Sequence, residues 1–387
     1  MFSLEQRVGD SLMRVLHLFT NPHLTNGATV FEYRVSEFLK DEEIYFDYLV
    51  TEQASDEELT RYKKMGSIVY RLPIDNNHGL FIRELKINLQ YFSFFKKHHY
   101  DIVYADTENA LRAIHLLMAR LAGVKVRVVH SHNTGLQTSS KKARKIARCM
   151  RSFFYFSATH YFACSDMAAE WLFPKKIYKS KRYTLLTNGV DLEKFEFNQE
   201  IRKNIRNKYQ ISEDEIVIGN VGRFMPQKNH EFILEIFLEI LQNTKKAKLM
   251  LIGSGPLLSK IQEKTSEFGI SDKVIFVGNI ANVNDYLQVM DVFLMPSLFE
   301  GLPITGIEAQ ANGLPCIFAD SITKELKITK QAEYCSLNSE AAVWAMNVLS
   351  AAKRGRMDCK EEIISSGYSI KNTVEYFSNF YHKKGNV

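Results

Sequence analysis

The stretch PSLFEGLPITGIEAQANGLP, Pro296 to Pro315, joins two short apolar runs, VFLM at Val292–Met295 and CIFA at Cys316–Ala319. Apolar spacing predicts a helix over Ile304–Asn312, and Pro303 suits its start because proline lacks the N–H that a first helical turn leaves unpaired. Strand, helix and strand in that order make a βαβ unit, the building block of parallel sheets. Glu300 then falls in the loop after the first strand, and Glu308 about two turns into the helix. The first N–H groups of such a helix have no internal partner and sit at the positive end of its dipole, so this junction can hold a diphosphate. A carboxylate on either side of that anion could accept hydrogen bonds from the hydroxyls of a vicinal diol.

Outward from this stretch the same alternation continues in both directions. Toward the N-terminus of the second half, strands are predicted at Ile216–Val221, Lys248–Ile252 and Val274–Val277, and toward the C-terminus at Tyr334–Ser336, with helices at His230–Gln242, Leu257–Phe268 and Val283–Met290. The first half repeats the pattern with strands at Val15–Phe19, Tyr45–Val50, Ser67–Arg71, Ile102–Ala105, Val126–His130, Tyr161–Cys164 and Thr184–Leu186. Asn188–Gly189 supplies turn chemistry before the charged run to Phe197, which places a linker there. The expected organisation is α/β, with two Rossmann-like doubly wound domains at 13–190 and 191–369, and a last amphipathic helix in 370–387 returning to the first. At 387 residues, two cores of that size are what a chain of this length can bury.

Composition narrows the class. With 45% hydrophobic and 24% charged residues the chain is a folded globular protein. Its five cysteines are odd in number, widely spaced and never in a CxxC pair, which argues against a disulfide framework or a zinc site and for a reducing cytoplasm. The N-terminal residues MFSLEQRVGD contain no apolar signal region, and no run is long enough to span a membrane. The first twelve residues read as an extension preceding the fold. The net charge of +6 is too small and local for a nucleic-acid partner. Six basic residues and no acid lie between Gln137 and Arg151, namely Lys141, Lys142, Arg144, Lys145, Arg148 and Arg151. Followed by Phe153, Phe154, Tyr155 and Phe156, they suit an anionic membrane surface, or else a solvated helix face and core aromatics.

Three further junctions carry candidate residues. IGNVGRFMPQKNHEFIL, Ile218 to Leu234, sets Arg223 and Lys228 between the end of a strand and a helix start, where two cations would neutralise a diphosphate. IGSGP, Ile252 to Pro256, offers Gly253 for close backbone approach, although a glycine-rich βα turn is weak evidence by itself. VVHSHNTG ends a strand with His130 and His132, either of which could reach a sugar hydroxyl or a phosphate. Asn26 and Gly27 precede the first helix, and no full GxGxxG or P-loop pattern supports a dinucleotide cofactor or a Walker-type site.

Taken together, TNGVDLEKF, VGRFMPQKNH, MLIGSGP, VIFVGN and the opening stretch resemble glycosyltransferase family 4, the retaining transferases of GT-B fold, in its bacterial exopolysaccharide and capsule branch. The resemblance implies that Glu308 binds the ribose of a nucleotide-sugar donor, Glu300 the transferred sugar, and Arg223 with Lys228 the diphosphate. Gly301, Leu302, Pro303, Ile304 and Thr305 would complete the phosphate cradle, Gly253 would line the donor, and Ile280 would lie beside the base. It implies transfer of a hexose or N-acetylhexosamine, with a UDP-sugar favoured, to a saccharide acceptor that is lipid-linked, with retained anomeric configuration. Neither metal nor other cofactor is implied, and no DxD motif occurs to hold a metal. Three departures stand out. The family pattern of two glycines and then a glutamate reads Asn26, Gly27, Ala28, Thr29 here; Leu302–Pro303 follow Gly301 where many members have EGFG; and His130 and His132 compete for one family position. A non-catalytic partner subunit and a nucleotide-sugar epimerase remain the alternatives. The intact Glu300, Glu308, Arg223 and Lys228 weigh against the first, whereas Thr29 leaves it open.

Overall fold

The computed structural model describes residues 13–19, 27–74, 79–107, 110–132 and 149–385. The N-terminal extension, Asn26 and the basic residues from Lys141 to Arg148 lie outside the described residues. Two units divide the chain, one of Met1–Asn188 with Lys371–Val387, the other of Gly189–Ile370.

Seven parallel strands form the sheet of the first unit: β1 (Met13–Leu18), β2 (Ile44–Val50), β3 (Val69–Arg71), β4 (Ile102–Asp106), β5 (Val126–Ser131), β6 (His160–Ala163) and β7 (Thr184–Leu185), in the order β3-β2-β1-β4-β5-β6-β7. Residues such as Val15, Leu16, Leu49, Val103 and Val129 are wholly buried, as expected of strands covered by helices on both faces. The strand expected from Ser67 begins instead at Val69, because the Ile68 N–H is taken by the buried Asp47 carboxylate at 2.7 Å. The last helix, Ile370–Gly385, lays Phe377 and Tyr381 onto this sheet, with Phe377 against Tyr104 and Phe162 at ring separations of 6.0 and 6.1 Å.

The second unit has six parallel strands: β8 (Ile216–Val221), β9 (Ala247–Ile252), β10 (Val274–Gly278), β11 (Val292–Met295), β12 (Cys316–Ala319) and β13 (Ala332–Cys335), ordered β10-β9-β8-β11-β12-β13. The helix expected over Val283–Met290 stops at Leu287. Two arginines account for the stop: Arg356 donates to the carbonyls of Leu287, Gln288 and Met290, and Arg202 to those of Gln288, Val289 and Met290. Carbonyls that a helix end would leave unpaired are thereby satisfied from outside. The chain segments entering and leaving the unit meet at an isolated parallel bridge between Val190 and Ser369. There Gly189 lies so close to the chain that an added Cβ would sit 2.5 Å from the Ile370 Cα.

Both sheets are doubly wound, and strand order reverses between β1 and β4 in the first and between β8 and β11 in the second. Loops leaving the carboxyl ends of those strands diverge at the reversal and open a crevice.

Candidate active site

In the second unit the crevice is built by the loops after β8 and β11. After β8, Pro226–Lys228 make one tight turn, Asn229 adopts a left-handed conformation (φ 56°), and a helix runs from His230 to Asn243. Asparagine tolerates that backbone better than most residues, and its side-chain amide also donates to the Pro296 carbonyl at 3.2 Å. Gln227 ties the two loops a second time, its carbonyl accepting from the Leu298 N–H at 2.8 Å and its side chain donating to Phe299 O at 2.9 Å and to Glu300 Oε2 at 3.1 Å. Lys228 Nζ then meets Glu300 Oε1 at 2.6 Å, with 14% and 9% of the two side chains exposed. The loop carrying Glu300 is held from its other side by Ser321, which donates to Ser297 O at 2.7 Å, and by a backbone bridge from Glu300 to Ile322.

Arg223 is exposed at the mouth of the same loop. The loop after β9 presses against it: Gly253 has φ 136°, and an added Cβ would come within 2.1 Å of the Gly222 carbonyl oxygen. Only glycine fits there, because any side chain would clash with backbone and strain the conformation. Gly253 N–H in turn donates to Gly278 O, so the ends of β8, β9 and β10 are laced together. Ile280, two residues beyond β10, is partly buried against the hydrophobic core.

Beyond Glu300, Gly301 and Leu302 lead into Pro303, the N-cap of the helix Ile304–Ala311. Ile304 and Thr305 open that helix, and Glu308 is buried in its second turn at 5% exposure. The structure thus gathers Lys228 and Glu300 into one ion pair and sets Arg223, Gly253 and the 301–305 helix start on the same strand-end surface of this unit. Sequence reasoning missed Gln227, the side chain that fixes Glu300. An amide in a polar turn carries no signal of a partner that lies 73 residues away.

The first unit has a second polar constellation at its own strand reversal. His17 in β1, Glu32 in the helix Gly27–Leu39, Tyr104 in β4 and His130 in β5 are each 0% exposed. His17 Nδ1 lies 3.5 Å and His130 Nδ1 3.9 Å from the Glu32 carboxylate oxygens. The Tyr104 hydroxyl is 2.5 Å from His130 Nδ1. The His132 ring packs on that of His130 with centroids 3.8 Å apart, and its Nε2 is 3.0 Å from Asp106 Oδ1. Burial disfavours charge on all of them. It pushes His17 and His132 down to about 3, His130 well below the ordinary imidazole range, and Glu32 well above the carboxylate range. Among the described residues, Glu32, His130 and His132 are the group whose donor atoms, within 4.8 Å of one another, could gather round a metal ion. Both histidines named from the sequence are therefore inside the first unit, His130 fully enclosed and His132 with 6% of its side chain exposed. Gly27 begins the first helix, whereas Asn26 falls outside the described residues.

Residues 25–194 match the family model described as Glycosyltransferase Family 4, and residues 201–364 match that of Glycosyl transferases group 1. The chain is 32% identical over 389 residues to the putative glycosyltransferase EpsF of Bacillus subtilis, covering 97% of this chain and 98% of that protein. It is 26% identical to an Escherichia coli UDP-Gal:alpha-D-GlcNAc-diphosphoundecaprenol alpha-1,3-galactosyltransferase, with 80% of each covered. Among solved structures, Anabaena Alr3699/HepE in complex with UDP-glucose superposes with a TM-score of 0.76 at 13% identity, over 96% of this chain and all of that one. At that identity the likeness concerns the fold.

Proposed function

Since the chain belongs to glycosyltransferase family 4 and has the GT-B fold, it is a glycosyltransferase, and we propose that it transfers a hexose or N-acetylhexosamine from a UDP-sugar to a lipid-linked saccharide, retaining anomeric configuration, in surface polysaccharide synthesis. The observation that carries this reading is the Lys228–Glu300 pair beside the start of the helix Ile304–Ala311. A cation, an acceptor of hydroxyl hydrogen bonds and unpaired helix N–H groups converge there as a sugar diphosphate requires. Lys228 and Arg223 neutralise the diphosphate, Glu300 accepts from hydroxyls of the transferred sugar, and Glu308 from the ribose. The departing phosphate takes the acceptor's proton on the face from which it leaves, so charge stabilisation at that phosphate is the main catalytic contribution and no metal is needed.

Two similar proteins support the finer points. The E. coli relative uses UDP-galactose and a diphosphoundecaprenol-linked acceptor, and the fold neighbour was solved with UDP-glucose. Among the described residues no helix is long and apolar enough to cross a membrane. The proposed lipid-linked acceptor puts the reaction at the inner membrane face, which the protein would touch peripherally from the cytoplasm. The test is a screen of UDP-, GDP- and dTDP-sugars, following nucleotide release with and without a lipid-diphosphate saccharide, in the presence of excess chelator. Release from one UDP-sugar that rises with acceptor, and a product whose anomeric proton matches the donor's configuration, is the expected result. Binding without release from any donor would make the chain a partner subunit; release of free sugar that ignores acceptor would make it an epimerase.

A further inference from the structure

Gln310 is wholly buried in the helix that carries Glu308, and its side-chain amide is fully paired. The amide nitrogen donates to the carbonyls of Gly306 at 3.1 Å and Leu326 at 2.7 Å. The amide oxygen accepts from the N–H groups of Ile328 at 3.2 Å and Thr329 at 3.0 Å, and from the Thr329 hydroxyl at 3.1 Å. Gly306 and Gln310, four residues apart, share one helix face, whereas Glu308, two from each, points about 200° away from it. The loop that Gln310 grips, residues 320–331 between β12 and β13, therefore backs the helix on the side away from Glu308. Gly306 lets the two lie close: an added Cβ there would sit 3.0 Å from a Leu326 methyl carbon.

The other end of the same loop holds Glu300. Ser321 supplies the bond to Ser297 O and Ile322 the backbone bridge to Glu300 itself. Between the two ends, a single tight turn at Lys324–Leu326 and the Tyr334 hydroxyl, which donates to Thr323 O at 2.5 Å, stiffen the span. A glutamine in a core is unfavourable unless its polar atoms find partners, and a fully paired one fixes a single arrangement of the segments it joins. We infer that Gln310 is a positioning residue: by fastening the helix of Glu308 to the loop that backs Glu300, it sets the spacing of the two carboxylates. With Glu308 at the ribose and Glu300 at the transferred sugar, a nucleoside diphosphate engages only the first, whereas a sugar nucleotide must engage both at once. Gln310 thus acts on recognition of the sugar end of the donor without touching it.

The inference rests on the proposed donor site for its binding arm, and on nothing but the fold for its exchange arm. Full-length Gln310→Met, Ser321→Ala, Thr329→Val and the double variant Gln310→Met/Ser321→Ala are compared with wild type by hydrogen–deuterium exchange, thermal melting and calorimetric titration. The titrants are UDP and whichever of UDP-glucose, UDP-galactose and UDP-N-acetylglucosamine the wild type binds best. Gln310→Met should weaken the UDP-sugar about tenfold and UDP by less than about threefold. Ser321→Ala should act in the same direction from the other end of the loop, and the double variant should be no worse than the more harmful single one, because both cut one linkage. Amide exchange in Gln310→Met should rise in residues 297–301 as well as in 320–329. Thr329→Val, which removes one of the five bonds to Gln310, should show a smaller shift of the same kind, and it decides the matter if Gln310→Met does not fold. A lowered melting temperature with UDP and UDP-sugar weakened equally, or not at all, would make Gln310 a core residue and nothing more. Additive losses in the double variant, or faster exchange confined to 320–329, would overturn the inference as well. A wild type that binds none of these nucleotides sinks the donor reading alone, and the exchange comparison still decides whether Gln310 links the two segments.

Discussion

Lys228 and Glu300 meet at 2.6 Å with solvent at the edge of the pair, whereas Glu32 and His130 stand 3.9 Å apart in complete enclosure. Both constellations sit where a parallel sheet reverses its strand order, yet they solve opposite problems. The first holds its two groups in a close ion pair at the edge of solvent, where an incoming anion can reach the cation. The second gives its charges up, so that His17, Glu32, His130 and His132 share one dry space as neutral donors and acceptors. The lesson is that a reversal point marks where ligands gather without saying how they are held. At its reversal the second unit sets an ion pair, the first a group of enclosed uncharged side chains.

The comparison breaks first at Lys228. Lys228→Ala removes a cation from the diphosphate and leaves Glu300 with Gln227 as its remaining tie across the loops, so kcat should fall about 100- to 1000-fold, measured by nucleotide release at saturating donor. A rate within threefold of wild type would mean that charge binding lies elsewhere. Glu308→Ala should instead weaken the donor about 10- to 100-fold in calorimetric titration with UDP-sugar, with kcat at saturation little changed. Arg223→Ala, exposed and without the loop-stitching contacts of Lys228, should slow turnover about tenfold and leave donor affinity nearly intact. Equal kinetics to wild type for both variants would remove the site assignment.

The smallest expected effect separates the two units by pH. A base whose pKa is lowered on folding binds fewer protons folded than unfolded. Its contribution to stability is therefore complete above about pH 6.5 and is lost as pH falls toward its folded value. His17 and His132, both pushed to about 3, and His130, pushed well below the ordinary imidazole range, place this loss in the first unit, from pH 6.5 down toward 3. Each contributes a slope of up to about 1.4 kcal/mol per pH unit, and the protonated Glu32 offsets one of them above the ordinary carboxylate pKa. In the second unit His230, pushed to about 4, is the comparable group. The chain has one tryptophan in each unit, Trp171 and Trp344, so single-tryptophan variants Trp344→Phe and Trp171→Phe report each unit separately. Acid titration should unfold the Trp171 unit at the higher pH; coincident transitions would contradict the contrast.

How far sequence reached follows the same division. All thirteen strands overlap the apolar runs bounded by turn residues, with shifts of a residue or two such as the start of β3 at Val69, because the central strands, buried on both faces, are mostly apolar. Glu300, Glu308, Arg223 and Lys228 could be named as candidates because they stand in motifs of neighbouring residues, and the structure pairs Lys228 with Glu300. What was not legible is contact between distant segments. Nothing in a linear pattern shows that Arg356 and Arg202 end the helix at Leu287, or that Gln227 holds Glu300. Glu32 was hidden for another reason: an acid within a helix reads as surface by default, and its burial becomes visible only when Phe31, Val35 and Leu39 are seen to flank it.

The second unit is an insertion in the first, since the chain leaves at Asn188 and returns at Lys371 to complete the first core with Phe377 and Tyr381. That connectivity sets an order of events during translation. Every residue of the second core has been synthesised before the last helix of the first exists, so the second unit can finish folding while the first waits for the helix Ile370–Gly385. A premature stop or a protease cut near the C-terminus would accordingly leave the nearest unit intact and cripple the one encoded first.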